Sequence, residues 1–343
     1  IIAMSEYKGI KGFQVQTRAG NPDDPIIGDF FYDSASGQFK NIADGFLTGT
    51  WSSSSALNTA RYRMNGGFGT APSAVVVVGG QSPAKNDVEQ YNGTSWTEVG
   101  DYPAATSDNG CTGVTTAGLS VCGVYDGPVN DECFTWNGSA FTEVADYPAG
   151  SGRVVVTGTT TAALSNGGEV AVNPSNWYSN KCYDFNGSAW TEAGDYPIYK
   201  TNGGMAGTQT AAIVAGGYGG PNGSIPGAAG RTICNTYDGS SWTEIAELNQ
   251  IKTECGYSGA GTTTSMIVCA GPTPTNAVTE LCNGTSWSEG NDLATGRGAG
   301  GSAGTMSSML YAGGNSPSLS PTTSGLTEEW SQSDTNIKTV TTS

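Results

Sequence analysis

The chain of 343 residues contains no histidine. That absence removes the one side chain whose ordinary proton affinity lies near neutrality. Histidine-based acid–base catalysis, Ser-His-Asp triads and histidine-held copper or zinc centres are excluded with it. Charge is also scarce. Only 13% of residues are charged, and 14 Lys and Arg stand against 30 Asp and Glu, a net charge of −16. A molecule of that balance is a poor partner for nucleic acid or for an anionic membrane surface. No apolar run reaches 18 residues, so membrane insertion is not expected. Ile1–Met4 is too short for the apolar centre of a secretory leader. Sustained 3.6-residue periodicity is missing as well, and 52 glycines argue against helices.

What is present is repetition. Gly207–Glu244 shows one full copy, from GTQTAAIVAGG through a polar loop to TYDGSSWTE. A Trp column runs Trp51, Trp96, Phe141, Trp190, Trp242 and Trp287, with spacings of 45, 45, 49, 52 and 45. An aromatic column precedes it at Tyr91, Trp136, Phe185 and Tyr237, is replaced by Cys282, and returns at Trp330. A small-residue pair closes another strand at Gly79-Gly80, Cys122-Gly123, Gly167-Gly168, Gly216-Gly217, Ala270-Gly271 and Gly313-Gly314. Between the two aromatics stand Asn92-Gly93, Asn137-Gly138, Asn186-Gly187, Asp238-Gly239 and Asn283-Gly284, a hairpin signal of the two-residue type. Four of the five glycosylation sequons are these turns, so the turn explains them.

A unit of 45 to 50 residues with four short strands is a propeller blade. We label its strands a to d: b ends at the small pair, c carries the first aromatic and d the Trp. The expected fold is all-β, a six-bladed propeller over residues 46–343 behind an attachment segment over 1–45. The last copy stops at Trp330 in strand c, while Gly49-Thr50-Trp51 is a d strand without a blade. An open ring would expose unpaired backbone, so the Trp51 strand is predicted to complete blade 6. Asn336–Thr342 is then expected to pair beside it or to trail away. In 1–45, Gly28–Tyr32 and Gly37–Lys40 read as two strands joined by Asp33–Ser36, too little chain for a core of its own.

Eight cysteines show no C-x-x-C spacing. Cys122 with Cys133, and Cys269 with Cys282, fall on adjacent strands b and c and could pair; the alternative is buried free thiols. The column ten residues past the Trp is basic at Arg61, Lys200, Lys252 and Arg297. An acidic column lies five past the Trp, at Asp101, Asp146, Asp195, Glu247 and Asp292. The two columns either pair with each other, or the basic one rings a mouth of the central channel and binds an anion or a sugar. The b-to-c loops vary in length and carry Trp177, Tyr178 and Tyr218, candidate sugar-stacking aromatics on blades 3 and 4. Glu98, Glu143, Glu192, Glu244 and Glu289 mark an outer strand kept soluble. No cofactor and no transition metal is expected; calcium, which needs only oxygen ligands, fits the acidic connections.

The Gly-Gly, Tyr and Trp columns resemble kelch-type propellers over about four-fifths of the chain. The wording YNGTSWTEV, LNTAR and GTQTAA resembles more specifically the kelch-like repeat proteins of marine tailed phages. GDFFYDSASGQFKNI is similar to strand modules near the N-termini of phage tail-fibre proteins. The Asp238–Trp242 turn is similar to the Asp-box of sialidases but one residue short, and no enzyme is expected. The resemblance implies a virion-exterior protein, assembled in the host cytoplasm. It would attach through residues 1–45 to other virion proteins, with a homo-oligomer possible, and bind a host surface polysaccharide or receptor. A structural decoration protein of capsid or tail, or a secreted lectin or enzyme acting on carbohydrate, is the alternative.

Overall fold

A computed structural model describes residues 16–19, 30–42, 49–64, 67–70, 74–81, 83–124, 128–170, 178–220, 231–253, 260–271, 277–319, 321–332 and 337–339. The chain divides into two compact units, Gly49–Gln332 and a second made of Ile1–Thr48 with Ser333–Ser343. All regular structure among the described residues is β, and no helix long and apolar enough to cross a membrane is present.

The smaller unit is a four-stranded sheet. Gln16–Arg18 runs parallel to Phe30–Asp33, which pairs antiparallel with Gln38–Ile42. The turn between the last two is closed by Asp33, whose carboxylate accepts from the Ala35 amide at 3.0 Å and the Ser36 hydroxyl at 2.5 Å. The fourth strand is Ile337–Thr339, paired with Gln38–Ile42. Ile337–Thr339 therefore does not pair beside the Trp51 strand, because the edge of this sheet offers it a ladder; the rest of Asn336–Thr342 lies outside the described residues.

The larger unit is a six-bladed β-propeller. Strands a to d are Gly67–Thr70, Ala74–Val78, Lys85–Tyr91 and Trp96–Thr106 in blade 1. In blade 2 they are Gly110–Val114, Ala117–Val124, Val129–Trp136 and Phe141–Val144. Blade 3 uses Val155–Thr159, Ala162–Asn166, Cys182–Phe185 and Trp190–Glu192. Blade 4 uses Gly204–Thr208, Ala211–Ala215, Cys234–Tyr237 and Trp242–Ile245. Blade 5 is built from Ala260–Thr262, Ser265–Val268, Glu280–Cys282 and Trp287–Glu289. Blade 6 has Gly301–Gly304, Ser308–Ala312 and Thr327–Gln332, and Gly49–Ser54 closes it with Trp51 opposite Trp330, ring centres 5.4 Å apart. Ring closure by the first propeller strand is thus as the incomplete repeats require.

Strand b is apolar on both faces because a blade lies against each. Val77, Tyr91 and Trp96 of blade 1 pack with Leu310 and Ala312 of blade 6, while Val76, Val78 and Val88 pack with Phe134 and Trp136 of blade 2. The Trp column staples blades together. The indole N–H of Trp96, Trp190, Trp242 and Trp287 donates to the carbonyls of Ser55, Ala145, Gly194 and Ala246, each four residues past the preceding aromatic of the column. The Gly pair has an equally physical reason. The second amide of the pair donates to the connection that leads into the next blade, from Gly80 to Thr106, Gly168 to Lys200, Gly217 to Lys252 and Gly314 to Arg61. A Cβ at Gly167, where φ is +65°, would sit 2.1 Å from the Lys200 carbonyl oxygen.

The c-to-d connections are four-residue loops, with Tyr91 facing Trp96 across 92–95, so the two-residue reading of Asn-Gly does not hold. The Asn92 side chain accepts from the amides of Thr94 and Ser95, both at 2.9 Å, and Gly93 takes a φ of +92°. Asn137, Asn186, Asp238 and Asn283 repeat that closure. The seven described cysteines are free and buried, the packing alternative foreseen above; Cys255 lies outside the described residues.

Candidate functional site

The six a strands contact one another around the axis and line a central channel of about 290 Å³. Its described wall is glycine, small aliphatic and hydroxyl side chains with Met205 and Cys111, and holds no carboxylate or amine. Two of those hydroxyls are spent between blades: Thr112 donates to the Gly158 carbonyl at 3.0 Å and Thr157 to that of Gly207 at 2.8 Å. Among the described lining residues Cys111 is the one titratable group, and burial pushes its thiol up to about 12, which disfavours a thiolate at neutral pH. The described lining has the surface of a packed core.

Chemistry concentrates where the d-to-a connections enter the a strands. Residues twelve past the Trp column take left-handed backbone there: Arg63, Asp108, Arg153, Asn202 and Ala299, with φ between +55° and +59°. Their amides hand hydrogen bonds from blade to blade. Arg63 donates to the Ala299 carbonyl at 2.6 Å, Asp108 to that of Arg63 at 2.9 Å, and Arg153 to that of Asp108 at 2.7 Å. One position earlier, the chain pairs with the start of its own b-to-c loop, as in Tyr62 with Gln81, Ser107 with Val124 and Gly298 with Asn315. In blade 3 this becomes the ribbon of Ser151–Gly152 with Glu169–Val170, and in blade 4 that of Tyr199–Thr201 with Tyr218–Gly220. The variable loops are thereby anchored beside the axis on this face.

Blades 1 to 3 make this end of the channel ionic. The Asp108 carboxylate, 1% exposed, lies 3.8 Å from Nη1 of Arg63 and 3.5 Å from Nε of Arg153. Arg153 also reaches Glu169 at 2.8 Å. Burial raises the Asp108 pKa, opposed first by Arg153 and then by Arg63. None of the four stands out in the sequence, because the column that holds Arg63, Asp108 and Arg153 shares no residue type. Its signal was the +12 spacing itself, which alternates Arg, Asp, Arg over three repeats.

The residues singled out from the sequence lie elsewhere. Arg61, Lys200, Lys252 and Arg297 are all buried, at 0 to 1% exposure, and do not ring the channel. Arg61 bonds to Glu89 and to the carbonyls of Gly79 and Asp87; Arg297 bonds to Glu328 and the carbonyl of Gly313. Lys252 donates to the carbonyls of Ala270 and Val278, and Lys200 to the Tyr196 hydroxyl and the Ile233 carbonyl. Their partners are not the acidic column either. That column is exposed, with Asp195 on Lys181 at 3.1 Å and Glu247 on the Thr232 hydroxyl. A long basic side chain turned inward between strands b and c finds backbone carbonyls to donate to there, and this geometry wins over the surface. Tyr178 is buried and bridged to Glu169, so it is no open stacking platform. Tyr218 is half-buried with the Arg231 guanidinium 5.6 Å from its ring, and Trp177 lies outside the described residues. One trio of carboxylates, Asp87, Glu98 and Asp101, gathers on blade 1, where Arg61 stands 3.6 Å from Asp87.

No family model matches the chain, and no curated protein resembles it in sequence. Solved structures do match its fold. One described as "Structure of YjhT" superposes with a TM-score of 0.64 at 12% identity, over 83% of this chain and 99% of that one. At that identity the likeness is one of fold alone.

Proposed function

We propose that the chain is a non-catalytic binding propeller, carried on the outside of a tailed-phage particle and directed at a host surface glycan or receptor. The virion part of the reading is supported by the wording of the repeats and of residues 28–42. The binding part is supported by the difference between the two faces of the ring. On the c-to-d face every Asx side chain is consumed by its own loop, and the loops are of one length. On the other face, loops of different lengths are anchored beside a cluster of two arginines and two carboxylates. Rigid scaffold with variable loops is where recognition is usually built. The absence of histidine, and a set of described lining residues without a carboxylate or amine, support the non-catalytic part.

Two measurements test this. Mass spectrometry of purified particles should find the protein, and its absence from them would remove the virion reading. Recombinant protein on a panel of surface polysaccharides should bind without releasing sugar. Steady release of reducing ends would favour the enzyme alternative.

A further inference from the structure

The propeller spends most of its cations on structure. Arg61, Lys200, Lys252 and Arg297 are buried, and Lys181 is held by Glu192 and Asp195. Arg63 is different. Its side chain is 36% exposed, and its guanidinium lies 5.8 Å from the Tyr62 ring centre. The Asp108 oxygen is 3.8 Å away, beyond hydrogen-bond reach, and no other acceptor engages that guanidinium among the described residues. Arg153, 22% exposed, approaches the other oxygen of the same carboxylate. The two guanidinium groups therefore converge on the axis-side entrance of blade 2 from the blades on either side. An arginine is also a poor choice for left-handed backbone, which Asn202 accepts at the same position of blade 4 at lower cost.

A guanidinium presents a planar fork of donors that matches carboxylate and sulfate oxygens two at a time. We propose that Arg63 and Arg153, spaced by Asp108, bind the carboxylate or sulfate group of an acidic surface polysaccharide at the loop-side end of the channel. This inference rests on the glycan-binding reading above. The net charge of −16 does not oppose it at physiological salt, where carboxylates more than about 8 Å away are screened. Asp108 faces both arginines and Glu169 holds Arg153 at 2.8 Å, so the cluster is charge-balanced and favours a ligand that displaces the long Arg63–Asp108 contact.

The test is isothermal titration of the whole chain with alginate, dextran sulfate and unmodified dextran. Wild type should bind at least one acidic polymer and not dextran. A preference for alginate identifies the carboxylate as the group recognised, and a preference for dextran sulfate identifies the sulfate. Arg63→Asn, which suits the left-handed backbone, should weaken binding ~10-fold or more with an unchanged melting temperature. Arg63→Lys should fall between, and Asp108→Asn, which removes a competing carboxylate, should bind more tightly than wild type. Equal binding of dextran with no effect of Arg63→Asn overturns this site and leaves the glycan reading standing. Binding of none of the three overturns both. A lowered melting temperature with unchanged binding in Arg63→Asn makes the cluster a brace between blades and overturns the proposal.

Discussion

The propeller is two half-rings that solve one local problem differently. In blades 5, 6 and 1 the connection into the blade carries leucine six residues past the Trp, at Leu248, Leu293 and Leu57. The next residue is Asn249, Ala294 or Asn58, whose amide donates at 2.8 Å to a buried glutamate of strand c, Glu280, Glu328 or Glu89. In blades 2, 3 and 4 the same two positions are Tyr102-Pro103, Tyr147-Pro148 and Tyr196-Pro197. Proline has no amide hydrogen, so there is nothing for a carboxylate to satisfy. The strand c position is then Phe134, Tyr183 or Asn235. The tyrosine rings meet strand c and d aromatics edge-on, as Tyr147 does with Tyr183 and Trp190, both at 5.0 Å. Their hydroxyls find Ser120, Ser165 and Asn235. The lesson is that a buried charge in this ring follows from a backbone donor, and removing the donor removes the need for the charge.

The comparison breaks most violently in the glutamate half. Glu328→Leu strands Arg297 without its carboxylate and uncaps the Ala294 amide. Leaving one partner of a buried ion pair should cost about 3–5 kcal/mol, read as a shifted denaturation midpoint. If Glu328→Leu costs no more than a surface change, the cation is not held by that carboxylate and the division into halves loses its meaning.

A subtler break separates charge from amide. In Glu89→Leu with Arg61→Met no buried charge remains, but the amides of Asn58 and Thr59 lose their acceptor. The double variant should therefore still be about 1–3 kcal/mol below wild type. Adding Asn58→Pro should recover part of that loss, because it imports the solution of the tyrosine half. Alone in wild type, Asn58→Pro should cost about 1 kcal/mol or more, since it removes the bonds to Glu89 and to the Trp96 carbonyl. Equal effects in both backgrounds would show that proline and glutamate are unrelated choices. In the tyrosine half, Tyr147→Phe removes only a 3.0 Å hydroxyl contact with Ser165 and should cost about 1 kcal/mol.

Much of this is legible in the sequence, for identifiable reasons. Trp51 and Trp330 gave away the closing strand because each end of the chain held the half-blade the other lacked. The small pair and the Asx-Gly loops were legible because close approach and positive φ admit few residue types. The buried glutamates were not, because Glu89, Glu280 and Glu328 look like surface residues of a strand, and only their alternation with Tyr-Pro elsewhere reveals the amide they serve. Arg61 and Lys252 are visible as a basic column, but spacing fixes a position on the connection and not the direction of its side chain. The Arg63–Asp108–Arg153 cluster was hidden because its column repeats a backbone conformation and not a residue.

The smallest expected effect compares blade 4's c-to-d loop with the others, since it alone uses Asp238 where they use asparagine. The loop geometry is the same: the Asp238 carboxylate accepts from the Ser241 amide at 2.8 Å and the Ser240 amide at 2.9 Å. The Ser241 amide first, then the Ser240 hydroxyl and amide, lower its pKa from 3.8 to about 2. A carboxyl group depressed on folding contributes stability above its unfolded pKa and loses it as pH falls through the folded value. Wild type and Asp238→Asn should therefore melt together at pH 7 and diverge only between about pH 4 and about pH 2, with wild type losing ground. Glu and Asp residues elsewhere titrate in both proteins and cancel in the difference. A gap already open at pH 7 would mean that the charge of Asp238 serves something beyond closing its loop. A gap that never opens would mean that the neutral acid closes the loop as well as the amide does.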